Sequence, residues 1–336
     1  MASPLSNGRS PLLEVGDLSV DYVTEAADVR AVDHVDLEVQ PGEFLAIVGE
    51  SGCGKSTLLF AIAQLLSPPA EIAGGTVVFK GRDMVKLTED ELRHIRWRDY
   101  SVVMQSAMNA LNPMKSIAAQ FKDTMDAHSE MSKKEIRDRS VEVLQLVGID
   151  PVHLNSYPHQ LSGGMRQRAM IAMALLFTPD LVIMDEPTSA LDVVAQRSLM
   201  SQIKQLQEKL GFAVIFVTHD MSLVTHYSDR LAVMYGGQIA EASVTQLLFD
   251  HPLHPYSKGL LEAFPSIRGP RRVLTGIPGT PPDLAHPPAG CRFQPRCPVA
   301  MAVCATQEPE LYTVRASKVR CLLYDPTIAA PEALAQ

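Results

Sequence analysis

Four groups of residues in this chain have the types and spacing to handle a triphosphate and its metal. In order they are Gly49 to Thr57 (GESGCGKST), a single Gln105, Leu161 to Arg168 (LSGGMRQR), and Leu181 to Pro187 (LVIMDEP) with His219 further on. In the first, Gly49, Gly52 and Gly54 allow backbone N–H groups to turn inward around phosphate oxygens, with Ser51 and Cys53 as small residues between them. Lys55 brings a point charge for the outer phosphates, the Ser56 hydroxyl suits Mg2+, and Thr57 begins the expected helix. In the fourth, Asp185 can hold Mg2+ through water. Glu186 is the candidate general base for an attacking water, and His219 the candidate contact to the γ-phosphate. Cys53 needs only to be small there and is not read as a catalytic thiol.

These groups need strands and helices to present them. Phe44–Val48 is an apolar run of strand length that leads directly into the Gly-rich loop. The helix after the loop is expected over 57–66, stopped by Ser67-Pro68-Pro69. Leu181–Met184 and Ala213–Val217 are further continuous apolar runs, as parallel strands covered on both faces require. All three would deliver their polar residues at carboxyl edges, where such sheets bind ligands. Alternation at Val35, Leu37, Val39 and at Val77, Phe79 predicts additional strands before about Gly81. From Thr88 the period turns helical. Thr88 with Glu91 and Ser132 with Glu135 read as capping boxes, and Ile136, Val143, Leu144 and Val147 form a stripe ending at Gly148. Leu199, Ile203, Leu206 and Leu210 give another helical stripe.

Together these residues resemble the nucleotide-binding subunit of an ABC transporter. The resemblance implies a P-loop NTPase core of α/β class with an antiparallel β subdomain and an inserted helical subdomain (about 86–165). It makes Leu161-Ser162-Gly163-Gly164-Met165 a signature loop and Ser189-Ala190-Leu191-Asp192 the loop after the catalytic glutamate. It also assigns Gln105 to Mg2+ and to a hinge towards the membrane partner, and Tyr22 to stacking on adenine. Two such domains would bind head to tail, each giving Ser162, Gly163 and Gly164 to its partner's ATP. A Gly-rich helix start is physically a second anion site. Met165 departs from the family's usual glutamine, which removes a side-chain amide and leaves the serine hydroxyl and backbone donors.

Composition agrees. The 336 residues are 46% hydrophobic and 20% charged, with a formal net charge of −8, an unfavourable balance for coating nucleic acid. The N-terminal stretch lacks the basic start and apolar core of a signal peptide. The longest apolar run, Ala169–Phe177, is about half a membrane span. The expectation is a protein at the cytoplasmic membrane face, attached through partners.

The character of the chain changes near Asp250. Eleven of its 24 prolines lie between Pro252 and Pro298, which predicts a turn-rich extension over 251–336 after a nucleotide-binding domain over 1–250. Cys291, Cys297, Cys304 and Cys321 follow at C-x5-C-x6-C-x16-C spacing, which reads as a metal centre, with unbound structural cysteines as the alternative. Tight C-x2-C pairs favoured by zinc are absent, and an iron–sulfur cluster tolerates wider loops. His254–Leu261, Ile277-Pro278-Gly279 and Gly290–Pro298 resemble the C-terminal extension of oligopeptide and dipeptide importer ATPases. That resemblance implies a [4Fe–4S] cluster on the four cysteines, with Zn2+ the alternative. It also implies a second, non-identical ATPase, two transmembrane permeases and an extracytoplasmic solute-binding protein. Rival readings are a soluble ABC-type ATPase acting on nucleic acid or the ribosome, and an importer of another cargo such as nickel chelates.

Overall fold

The computed structural model describes residues 10–25, 27–105, 110–189, 191–263 and 276–328. Ala190, in the loop after Glu186, and the stretch 264–275 of the proline-rich segment lie outside them. Through the first third, the elements are β1 (Leu13–Tyr22), β2 (Val29–Val39), β3 (Phe44–Val48), α1 (Lys55–Ile62), β4 (Ala70–Phe79), β5 (Arg82–Asp83) and α2 (Glu89–Ile95). The middle holds β6 (Tyr100–Val103), α3 (Ile117–His128), α4 (Lys133–Leu146), α5 (Gly163–Ala174), β7 (Leu181–Asp185), α6 (Val193–Leu210) and β8 (Ala213–Val217). Last come α7 (Met221–Tyr227), β9 (Arg230–Tyr235), β10 (Gln238–Val244), α8 (Thr245–Asp250), α9 (Pro255–Glu262), β11 (Tyr312–Val314) and β12 (Ser317–Val319).

The chain forms two compact units. The first comprises residues 1–39, 45–83 and 219–336, and the second residues 40–44 and 84–218. In the first, β2-β1-β4-β5 make an antiparallel sheet. The alternation read from the sequence is real: Val35, Leu37, Val39, Val77 and Phe79 are all buried. A second sheet region runs β11-β12-β10-β9-β3, in which β3 lies parallel to β9 and the other pairs are antiparallel. The C-terminal hairpin β11–β12 thus adds to β10, with Glu241 opposite Val319.

The second unit is built on three parallel strands, β8-β7-β6, in register from Leu181–Ala213 to Asp185–Val217. Every residue of β7 and β8 is buried, which explains their unbroken apolar runs. Both predicted capping boxes are present, at Thr88–Glu91 and Ser132–Glu135. Ile136, Val143, Leu144 and Val147 are buried beneath α4, and Gly148 follows at φ +68° as a left-handed stop. In α6, Leu199, Ile203 and Leu206 are buried, whereas Leu210 is only partly covered.

One expected boundary moves. The helix after the Gly-rich loop runs from Lys55 to Ile62, two residues earlier at its start and four earlier at its end than expected. Gly54 at φ +101° begins it, so Lys55 is already helical. It ends in a left-handed turn at Gln64 (φ 52°), closed by N–H donation from Gln64 to Ala61 O and from Leu65 to Phe60 O. No glycine or proline marks that stop.

Candidate functional site

In the first unit, the Gly-rich loop joins the end of β3 to the start of α1. Its glycines are required by close approach. A Cβ on Gly49 would lie 2.1 Å from Met234 O, and one on Gly54 2.1 Å from Ala31 O, whereas one on Gly52 would meet nothing within 4 Å. Lys55 is buried and donates from Nζ to Gly49 O (2.9 Å) and Glu50 O (2.8 Å). Its ammonium is thereby folded over the loop. The Cys53 thiol lies 3.7 Å from that nitrogen, and its burial pushes its pKa up, opposed by the lysine charge. Ser51 and Gly52 are exposed at the rim, Ser56 is half-buried and Thr57 buried. Tyr22, at the end of β1, is partly covered, and its hydroxyl lies 3.1 Å from the Thr57 hydroxyl. The ring therefore stands beside the cradle. His219 is exposed in the same unit, one residue before the Asp220 cap of α7.

The second unit carries the carboxylates. Asp185 is the last residue of β7 and is buried. Glu186 leaves the strand at φ 45°, with its N–H donating to Val217 O (3.0 Å), so its side chain is redirected relative to Asp185. Gln105, exposed two residues beyond β6, donates from Nε2 to Glu186 Oε2 at 2.9 Å. Gln105 and the candidate base are therefore brought together across 81 residues of sequence. Ser162 is exposed and caps α5, its hydroxyl accepting from Met165 N–H (3.3 Å). That cap uses only the backbone at 165, so methionine serves there. Gly163 and Gly164 form the first turn of α5, and a Cβ on Gly164 would meet nothing within 4 Å. This helix start is open to an outside group. Asp192 caps α6, and Val193 and Val194 beside it are strongly exposed.

The four clustered cysteines are all free thiols in the first unit. Cys304 and Cys321 are buried, and Cys291 and Cys297 are partly covered. Burial pushes Cys291 up to about 11, with the neighbouring Cys304 and Cys297 thiols acting in the same sense. Burial likewise lifts Cys321 to about 12, with all three other thiols adding in the same sense. The four sulfurs thus lie within one another's electrostatic reach. Among the described residues, however, no three His, Cys, Asp or Glu side chains close tightly enough to hold a metal ion. Neither Zn2+ nor an iron–sulfur cluster finds a ready-made site among them.

Several anchoring residues escaped the sequence reading. Arg292 donates to Gly236 O and to Asp33 of β2, and Glu241, wholly buried, accepts from the N–H groups of Leu253 and His254 (2.9 Å each). Arg296 pairs with Glu50 inside the cradle. Arg292 and Arg296 fall within the Gly290–Pro298 stretch already singled out, whereas no local signal marks Glu241.

The α/β core, the antiparallel sheet and the cradle define the class, an ATP-binding cassette. The ABC transporter family profile matches residues 32–189, and the oligopeptide/dipeptide transporter C-terminal region matches 240–304. The dimeric ATP-binding cassette MJ0796, solved in a post-hydrolysis state bound to ADP and Pi, superposes with TM-score 0.62 at 29% identity, covering 69% of this chain and 98% of that one. The chain belongs to the peptide-transport branch of the ABC transporter ATP-binding proteins. It is 41% identical to the dipeptide transport ATP-binding protein DppD of Caldanaerobacter subterraneus subsp. tengcongensis, over 94% of this chain and 98% of that protein. It is 43% identical to the oligopeptide transport ATP-binding protein OppD of Bacillus subtilis, over 90% and 86%. Among the described residues no helix is long and apolar enough to cross a membrane.

Proposed function

We propose that this chain is the ATP-hydrolysing subunit that energises import of di- and oligopeptides through an ABC membrane transporter. The observation that carries this reading is its identity to dipeptide and oligopeptide transport ATP-binding proteins over nearly its whole length, including the C-terminal region. Gly49, Ser51, Gly52, Cys53, Gly54, Lys55, Ser56 and Thr57 cradle the phosphates, and Tyr22 stacks on adenine. Ser56, Gln105 and Asp185 serve Mg2+. Glu186 takes the proton of the attacking water while His219 contacts the γ-phosphate. Ser162, Gly163 and Gly164 complete a partner subunit's site, for which the exposed cap of α5 is suited. The nucleotide-binding domain occupies 1–250 with its helical part at about 86–165, and the extension 251–336.

The partners of this reading are a second, non-identical ATPase, two permeases and a solute-binding protein, with the chain peripheral at the cytoplasmic face. Closure of the ATPase pair around nucleotide drives the permeases, and hydrolysis resets them. Cys291, Cys297, Cys304 and Cys321 hold a [4Fe–4S] cluster, which, when bound, ties the loops around 291–304 to residue 321. The raised thiol pKa values of Cys291, Cys297 and Cys321 mean that metal must displace protons there to bind. The test is affinity purification of the tagged protein from gently solubilised native membranes. Recovery of two polytopic permeases, a second ATPase and a binding protein loaded with peptide supports the proposal. Recovery only from the soluble fraction, even with ATP trapped, favours a soluble ATPase. A binding protein loaded with a nickel chelate would change the cargo.

A further inference from the structure

Glu50 is the second residue of the phosphate cradle, and C-terminal residues hold it from two sides. Arg296 Nη1 and Nη2 donate to Glu50 Oε2 (2.7 Å) and Oε1 (2.9 Å), a bidentate pair. The Glu50 N–H donates to the hydroxyl of Tyr256, a fully buried ring, at 3.0 Å. On its other side, Glu50 O accepts from Lys55 Nζ. One residue therefore joins the phosphate-binding lysine to the extension.

The guanidinium is fixed on every edge. Nε donates to Pro278 O (2.8 Å), Nη2 also to Ile277 O (3.3 Å), and Nη1 also to the Tyr235 hydroxyl (3.3 Å). Its side chain is 5% exposed, against 24% for Glu50. Only a planar fork of donors satisfies these acceptors together, and a lysine ammonium cannot. Beneath it Tyr235, Tyr256 and Phe293 pack ring to ring, with centroids 4.5–5.5 Å apart. Arg296 itself sits on a short turn over Gln294–Arg296, framed by N–H donation from Gln294 to Cys291 O (2.9 Å) and from Cys297 to Gln294 O (3.3 Å).

We infer that Arg296 is a positioning residue for the phosphate cradle: fixed in the cysteine-bearing segment, it holds Glu50, and through it the first turn of the loop, in the shape that receives ATP. The inference rests on the cradle being the ATP site. Arg296 touches no substrate in this account. Its effect passes through Glu50, so nucleotide affinity depends on a segment 246 residues away in sequence.

The test measures ATP dissociation constants and unfolding temperatures for the full-length protein and its Arg296→Lys, Arg296→Ala, Glu50→Gln and Lys55→Ala variants, with the Arg296→Ala/Glu50→Gln double variant. Arg296→Lys and Glu50→Gln are each expected to weaken ATP binding about tenfold in protein that remains folded, since both break a bidentate charged pair. The double variant should be no weaker than the worse single one, because each removes the same link. Arg296→Lys binding ATP like the wild type, or effects at 296 and 50 that simply add, would overturn the inference. A purely architectural role would lower the unfolding temperature and leave affinity alone. If Arg296→Ala does not fold, the partly exposed Glu50→Gln carries the test with Arg296→Lys. Undiminished affinity in Lys55→Ala would instead strike at the cradle reading itself.

Discussion

Alanine placed at each of the three cradle glycines should cost very different amounts, although all three lie within six residues of one another. Gly52 has φ +78° and open space around its missing Cβ. Alanine there costs only the left-handed backbone, roughly 1–2 kcal/mol. Gly54 has φ +101°, and its Cβ would approach Ala31 O to 2.1 Å and Met234 Cε to 2.9 Å. Gly49 at φ +156° would meet Met234 O at 2.1 Å and Cys53 Sγ at 2.8 Å. Both carbonyls belong to strands, Ala31 in β2 and Met234 in β9, and cannot swing aside as a side-chain end could. Overpacking against them adds a further ~1–3 kcal/mol, so Gly54→Ala should lose roughly 2–5 kcal/mol in all. Urea unfolding followed by far-UV circular dichroism gives the comparison, provided the slope with denaturant is unchanged between variants. The loss should be clearly larger for Gly54→Ala and Gly49→Ala than for Gly52→Ala. Equal losses at 52 and 54, or a Gly54→Ala protein within about 1 kcal/mol of wild type, would refute the reasoning.

Other expectations follow from the same geometry. Glu186→Gln should bind ATP and accumulate as a closed dimer with little turnover, seen by size-exclusion chromatography and phosphate release; turnover near the wild-type rate would remove Glu186 as the base. His254 is buried and its pKa is driven down to about 4 by loss of solvent. Because the unfolded chain takes up this proton first, stability is held above about pH 6.5 and lost as pH falls towards 4, by at most roughly 3 kcal/mol. Buried Glu241, with its pKa raised by desolvation, works in the opposite sense and trims that loss. His254→Asn keeps an acceptor for Tyr256 N–H, so its unfolding free energy should fall less steeply over this window, and an unchanged slope would count against the assignment. Protein purified without oxygen should carry iron, sulfide and broad visible absorption that Cys304→Ser abolishes. Stoichiometric zinc without sulfide would replace the cluster with the alternative metal.

The chemistry was legible wherever it is written into one contiguous stretch. A phosphate cradle needs its strand, glycines and lysine within about a dozen residues, and the covered strands β7 and β8 announce themselves as apolar runs. Capping boxes are equally local, and both formed as read. The end of α1 was not legible, because Gln64 closes it in a left-handed turn without glycine. Nor were the links that pair distant segments. Gln105 was placed near the site by family resemblance, yet its hydrogen bond to Glu186 follows from the return of β6 alongside β7. Arg296 and Tyr256 reach Glu50 only because the extension folds back within the first unit. Local pattern carries no term for such encounters.

The most direct test of the central claim is uptake of a labelled dipeptide by cells whose own copy of this protein is replaced by wild type or by Glu186→Gln at equal abundance. Uptake that requires the wild-type chain and collapses with Glu186→Gln is the predicted result. Undiminished peptide uptake with Glu186→Gln, or without the protein altogether, would contradict it.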